Sequence, residues 1–301
     1  MRTEVDFELL GTTVVDLYRL KEGEVMSAIV HLGERLGLFG ALAEHAPTDS
    51  GGLAEATGLH ERWVREWLFA VAAAGIAQHE EGRFALTPEA AAVLVDENHP
   101  ASMVGVFGPP ITHREIDRTV EAFSTGIGMT WDEHGAHTCH FQAAMGAAGQ
   151  EAWLTPVILD SIDGMTERLT AGITVVDVGC GAGVAAAAIA RAYPASTVIG
   201  IDPSGHAIAV GAERSASLDN LTIQAGSFDT LGDLAPVDLL LTLDVIHDLP
   251  RPGEAVRNAR AALADDGVWM VADIKARGGL EENREIPVAS LMYGMSILYC
   301  M

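Results

Sequence analysis

The stretch Thr174-Val-Val-Asp-Val-Gly-Cys-Gly-Ala-Gly183 constrains the fold of this chain more than any other. Its opening run, Ile173 to Val178, is rich in β-branched residues and reads as a strand buried on both faces, as in a parallel sheet. Three glycines follow at alternate positions, and an alanine-rich helical pattern starts at once with Val184. Strand, glycine turn and helix together aim backbone N–H groups and a helix N-terminus at a ligand. Glycine permits the tight turn and, lacking Cβ, lets the ligand approach the backbone.

Downstream, residues 196–202, 221–227, 238–246 and 267–274 read as further strands separated by helical patterns. That alternation implies right-handed crossovers and a doubly wound parallel sheet that binds its ligand at the carboxyl edge. In the dinucleotide fingerprint G-x-G-x-x-G the third glycine would fall at Val184, which weakens a nicotinamide-dependent oxidoreductase reading. Here the third glycine comes one residue early, at Gly183, and Asp177 stands two residues before the first. The resulting D-x-G-x-G-x-G pattern resembles motif I of the class I S-adenosylmethionine-dependent methyltransferases.

The resemblance extends over about residues 170–275 and implies S-adenosyl-L-methionine as cofactor. It places the backbone of Gly179, Cys180 and Gly181, in the loop closed by Gly183, against the methionine part. Asp177 would hold that loop and bind near the amino group. Asp202 would take the ribose with Pro203 and Ser204 beside it, and Gly226, Ser227 and Phe228 would lie against the adenine. Thr242 and Leu243 would line the pocket beyond. Taken singly, Asp202 also reads as a solvated strand end and Phe228 as core packing.

The segment Asp244-Val-Ile-His-Asp-Leu-Pro250 follows the fourth strand. It resembles the segment of small-molecule O-methyltransferases whose histidine takes the proton from the acceptor hydroxyl, and His247 stands at that position. An imidazole titrates near the operating pH, which suits a general base. Asp244 or Asp248 would orient it, and a structural role for the histidine is the competing reading. This family normally adds two antiparallel strands after the fifth. No such pair is readable after Ile274, where residues 288–300 form an apolar helical pattern.

In the first half, residues 1–22 read as a short leading helix. From Glu24, Val25, Ile29, Leu32, Leu36 and Phe39 recur at helical spacing. A short helix at 53–59 and a second at 60–71, with Trp63, Trp67 and Val71 on one face, precede a hairpin that turns at Glu81-Gly82; Thr87-Pro88 starts another helix. Helix, helix, hairpin is the order of a winged helix-turn-helix. The polar residues Glu61, Arg62, Arg65 and Glu66 of its second helix cancel in charge, so a DNA-reading face is missing. By the resemblance, this part is a dimerisation domain that also walls the active site.

Residues 97–150 read as a connector with little periodicity, extended at Phe107-Gly-Pro-Pro-Ile111 and looped at 125–131. They carry His134, His137, Cys139 and His140, whose spacing fits no usual zinc pattern, so a polar substrate lid is preferred to a metal site. From Glu151 a helix resumes, with Trp153, Val157, Ile158, Ile162, Met165 and Leu169 inward.

The chain has 42 acidic and 18 basic residues, a net charge of −24, a field that repels nucleic acid and anionic membranes. Three cysteines without paired spacing suggest a reducing, cytoplasmic setting, and no run suggests a membrane span. The expectation is an α/β protein, a Rossmann-like doubly wound parallel sheet lacking its last hairpin, preceded by a mostly α winged-helix-like domain. Its divisions are 1–96, a helical connector and lid at 97–170, and the cofactor-binding domain at 171–301. The expected function is S-adenosylmethionine-dependent methylation of a small-molecule hydroxyl by a homodimer, without metal, nucleic acid or membrane. The alternative is a non-catalytic, cofactor-sensing DNA-binding regulator.

Overall fold

A single 29-residue helix, α1 (Phe7–Arg35), opens the chain where the sequence suggested a short helix and then a second. Asp6 caps it, its carboxylate accepting from the N–H groups of Glu8 and Leu9. The computed structural model describes residues 3–97, 99–108 and 111–301, so Pro109 and Pro110 of the expected extended segment lie outside the described residues. Two units are distinguished, Met1–Pro110 and Ile111–Met301.

In the first unit, α1 is followed by α2 (Leu38–His45), α3 (Ser50–Thr57) and α4 (Glu61–Ala73). The expected inward stripe holds only in part: Ile29 packs on the core and Phe39, which falls on α2, is buried. Val25, Leu32 and Leu36 stay about half exposed, and Val30 enters the core instead. Only the last turns of α1 pack on the other helices, where the Trp67 indole N–H donates to the Ile29 carbonyl. On α4 the buried stripe is Val64, Trp67, Leu68 and Val71, whereas Trp63 is 79% exposed. Val64 and Val71 two turns apart define the core side, and Trp63 falls off it. Strands β1 (Ala77–Glu80) and β2 (Arg83–Leu86) pair antiparallel around Glu81 and Gly82, both at positive φ, as the hairpin reading expected. Thr87 then caps α5 (Pro88–Leu94).

The second unit begins with α6 (His113–Thr125), held at its start by a capping box between Thr112 and Glu115. After the loop come the single turn α7 (Trp131–His134) and α8 (Ala136–Gly149), so much of the connector is helical. The helix expected over 151–169 is two pieces, a π-helical stretch Gln150–Leu159 containing Pro156, then α9 (Met165–Ala171) after Gly164. The wider π-helical turn resets the register. Leu154, Leu159, Met165 and Leu169 are buried, while Trp153, Val157 and Ile158 are exposed.

The sheet then unfolds in sequence: β3 (Thr174–Val178), α10 (Val184–Ala192), β4 (Thr197–Asp202), α11 (Gly205–Ser215) and β5 (Leu221–Ala225). β6 (Val237–Leu243), α12 (Pro252–Ala262) and β7 (Leu263–Ala272) complete it. All pairings are parallel in the order β5-β4-β3-β6-β7, the Rossmann-like doubly wound arrangement expected. Every residue of α10 from Val184 to Ala190 is buried, its alanines letting the helix sit close against the sheet. The order reverses between β3 and β6, the switch point where such sheets bind ligands. Beyond β7 lie α13 (Leu280–Asn283), α14 (Ala289–Met295) and a π-helical turn Ser296–Cys300. No single helix among the described residues is long and apolar enough to cross a membrane.

Candidate active site

The glycine loop lies between β3 and α10 with Gly179, Gly181 and Gly183 all at positive φ. A Cβ on Gly181 would meet nothing within 4 Å, so its outer side is open for a ligand. A Cβ on Gly179 would come within 2.6 Å of the Val245 side chain, which shows that the glycine loop and the loop after β6 abut. Gly183 is crowded by Ile223, so its glycine serves close packing of α10.

Asp177 and Asp202 stand at the ends of β3 and β4 and differ in how they are satisfied. Asp202 is 8% exposed. Its Oδ2 accepts from the Gly181 N–H at 2.8 Å and its Oδ1 from the Ser204 N–H at 2.8 Å, tying the loop to the strand end. Burial nevertheless pushes its carboxyl up. Asp177 is 2% exposed and its Oδ2 has no hydrogen-bond partner. Burial, with Asp202 beside it, raises its carboxyl to about 7. Cys180 is pushed up by burial and the same two acids. An open glycine edge, one orphaned buried carboxylate oxygen and a second carboxylate with lone pairs to spare suit a ligand carrying ammonium and hydroxyl donors.

The remaining residues of this half are mixed. Ser204 is buried and its hydroxyl donates to Asp132 Oδ1 at 2.5 Å, while the same carboxylate accepts from the backbone N–H groups of Gly205 and His206. Asp132 thus caps α11 from α7, a link the sequence did not disclose. Pro203 is exposed beside it. Gly226 donates its N–H to the Asp202 carbonyl, and Thr230 Oγ1 accepts from the Ser227 N–H. The Phe228 ring is 6% exposed and packs edge-on against Trp269, so it belongs to the core and leaves backbone, not a stacking face, to any ligand. Thr242 is fully buried, its hydroxyl accepting from the Trp269 indole N–H. Leu243 ends the strand, half-buried.

His247 lies on a 3-10 turn, Ile246–Asp248, just past β6. Its Nδ1 is 2.5 Å from Asp273 Oδ1, and Asp273 follows the end of β7. Its Nε2 is 3.1 Å from Asp248 Oδ1, without aligning as a hydrogen bond. Trp131 and Cys300 lie beside Asp248 and favour its charged form, against the effect of burial. Burial raises the carboxyls of Asp248 and Asp244, the latter also through Asp273, and pushes the Cys300 thiol up to about 12. The orienting acid is therefore Asp273, which the sequence reading did not name; it was discoverable only as the acid ending the strand beside β6. Asp244 sits at φ 55, a strained conformation for a non-glycine residue and one that clusters at functional sites. Asp244, His247 and Asp273, and separately His247, Asp248 and Cys300, place donor atoms within 4.8 Å of one another, so either trio could hold a transition-metal ion.

Residues 169–293 match the family model described as a methyltransferase domain, and residues 24–96 match an Rv2258c-like winged HTH domain. A ubiquinone biosynthesis O-methyltransferase of Caulobacter vibrioides is 33% identical over 115 residues, 37% of this chain and 45% of that protein. One from Actinobacillus pleuropneumoniae is 30% identical over 168 residues, 53% of this chain and 65% of that protein. The chain therefore spans about half the length of the curated relatives it matches. The structure of human N-acetylserotonin methyltransferase in complex with SAM superposes with a TM-score of 0.67 at 18% identity, covering 100% of this chain and 88% of that one. That likeness establishes the shared fold.

Proposed function

We propose that this chain, a winged-helix unit followed by a methyltransferase domain, transfers a methyl group from S-adenosyl-L-methionine to a hydroxyl of a small molecule. The observation that carries the reading is the Asp273–His247 pair, set at the carboxyl edge of the sheet where the loop after β6 abuts the glycine loop. Gly179, Cys180, Gly181 and Asp177 would hold the methionine part of the cofactor and Asp202 the ribose; the backbone of Gly226, Ser227 and Phe228 would face the adenine. The cofactor supplies an electrophilic methyl on a sulfonium.

What the chain must add is alignment, water exclusion and removal of one proton. Asp273 fixes the imidazole with its proton on Nδ1, which leaves the Nε2 lone pair for the acceptor hydroxyl. When Nε2 takes that proton, the same carboxylate stabilises the imidazolium. Asp248 Oδ1 stands 3.1 Å from Nε2 and adds negative charge beside the imidazolium. No step in this scheme requires a metal, so turnover is expected to survive chelation by EDTA.

The acceptor is a small, partly apolar alcohol or phenol. The regulator reading finds no support on α4, where Arg62 pairs with Glu66 at 3.1 Å and Arg65 with Glu61 at 3.7 Å. The protein is proposed to act as a homodimer, because α1 leaves Phe7, Leu10, Val14 and Leu17 exposed on successive turns. The free cysteines Cys139, Cys180 and Cys300 agree with a cytoplasmic setting. The primary test is calorimetric titration with S-adenosylhomocysteine and, as control, NAD. Micromolar binding of the first alone is expected; binding of NAD alone, or of neither, overturns the reading. Sedimentation of the wild type and of Leu10→Asp/Leu17→Asp tests the dimer, which the substitutions should dissociate.

A further inference from the structure

His134 is the most deeply buried histidine of the second unit, its side chain 1% exposed. Neither ring nitrogen has a hydrogen-bond partner. Buried polar atoms in native proteins are paired in the great majority, and one that is not calls for an explanation. The ring is flanked by Trp131, with centroids 5.8 Å apart, and Tyr299, 5.2 Å apart. Glu115 is the nearest polar group. Its Oε2 is occupied by the N–H and hydroxyl of Thr112 at 2.7 Å each. Its Oε1 faces His134 Nδ1 at 3.7 Å and His137 Nε2 at 3.7 Å, just beyond hydrogen-bond reach of either.

The protonation states follow from these surroundings. Burial holds the His134 imidazole below its usual value, against the pull of Glu115, so the ring is neutral. Burial opposes charge on Glu115 too, but the two bonds from Thr112 favour the carboxylate, and the carboxyl lies below its usual range. A neutral imidazole carries one donor and one acceptor nitrogen. The carboxylate beside Nδ1 selects the proton for that nitrogen, which leaves the Nε2 lone pair without a donor. Two aromatic residues link this group to the reaction centre: Trp131 lies beside His134 and also beside Asp248, and Tyr299 precedes Cys300, whose thiol sits within 4.8 Å of the donor atoms of His247 and Asp248.

We propose that His134, backed by Glu115, is a second polar subsite for the acceptor, taking an O–H or N–H donor on the far side of the molecule from the hydroxyl that is methylated. The inference rests on the methyltransferase reading above. It narrows the acceptor class to molecules with two separated donors, such as an aromatic diol or hydroxy-amide. The orphaned imidazole is then the cost of specificity in the ligand-free protein: a site built to bond a substrate donor rejects the analogue that lacks it.

The test compares a naphthalenediol with hydroxyls at opposite ends, and its monomethyl ether, on protein saturated with S-adenosylhomocysteine. The wild type should bind the diol at least about tenfold more tightly than the ether, one donor's worth. His134→Phe should bring the diol down to the level of the ether, and His134→Gln, which keeps an acceptor, should recover part of the difference. Calorimetry with S-adenosylhomocysteine alone should give the same affinity for all three proteins; absence of that binding in the wild type would sink the methyltransferase reading and the subsite with it. A ligand-free measurement runs in parallel. Because His134→Phe removes two unpaired buried nitrogens, its Tm should rise by about 3 °C. An equal diol-to-ether ratio in wild type and His134→Phe, no binding of the diol to the loaded wild type, or a fall in Tm would each overturn the subsite.

Discussion

At the β3–β4 end of the carboxyl edge, acids are met by backbone: Asp202 by the N–H groups of Gly181 and Ser204, and Asp177 by no donor at its Oδ2. At the β6–β7 end, acids gather round a side chain: Asp273 Oδ1 meets His247 Nδ1 as well as the Ile274 N–H, and Asp248 Oδ1 stands 3.1 Å from His247 Nε2. Backbone donors cannot titrate or swing, so the first end is a fixed cradle whose unmet valence is left for a ligand. Side-chain partners can exchange protons, so the second end can do chemistry. The division of labour is written in what meets each acid, although acids stand at both ends.

Breaking either end should give distinct signatures. The largest effect is expected at Asp177. Its carboxyl ionises near 3.8 in the unfolded chain and near 7 in the folded one, so the folded state holds the extra proton between those values. Stability should therefore fall as pH rises through that window, by on the order of 4 kcal/mol in full. Asp177→Asn should flatten this part of the curve, read by urea unfolding at the two ends of the window; an unchanged slope would show that Asp177 is already ionised. Next comes His247→Ala, which should lower turnover at least about a hundredfold with S-adenosylhomocysteine affinity unaltered. Retained turnover would remove the histidine from the chemistry and collapse the contrast between the ends.

Gly179→Ala probes the seam between them. It forces a side chain into a left-handed conformation and against Val245, at a cost of about 2 kcal/mol. Adding Val245→Ala should return the steric part, and complete additivity of the two changes would deny that the loops touch. The smallest effect is expected from Asp273→Asn, about tenfold in turnover, because the imidazole loses its orienting charge but keeps its place. A loss as large as that of His247→Ala would make Asp273 a full partner in proton transfer.

Much of this was legible in the sequence because it is local. The strand–glycine–helix unit, the hairpin at Glu81-Gly82 and the Thr87-Pro88 start each depend on neighbours a few residues away, and each formed as read. Alternation of strand and helix announced a parallel, doubly wound sheet, and the structure supplies its order. The misreadings share a physical cause. Trp63, Val25 and Leu36 are apolar and correctly spaced, but spacing cannot say which stripe has a partner to pack on. Phe228 and Thr242 sit where ligand residues were expected, but Trp269, arriving from a later strand, claims both side chains. The pairs Asp273–His247, Asp132–Ser204 and Glu115–His134 join residues far apart in the chain, and no periodicity carries such information.

The cap that Asp132 places on α11 has a consequence for motion. A carboxylate from the α7 turn supplies the acceptor that the Ser204–His206 segment would otherwise draw from solvent, and the Ser204 hydroxyl holds that carboxyl below its usual range. Opening of the α7 turn thus strips the first turn of α11, directly behind the ribose-side acid. Amide hydrogen exchange at Gly205 and His206 should consequently report the breathing of a segment more than seventy positions earlier in the chain.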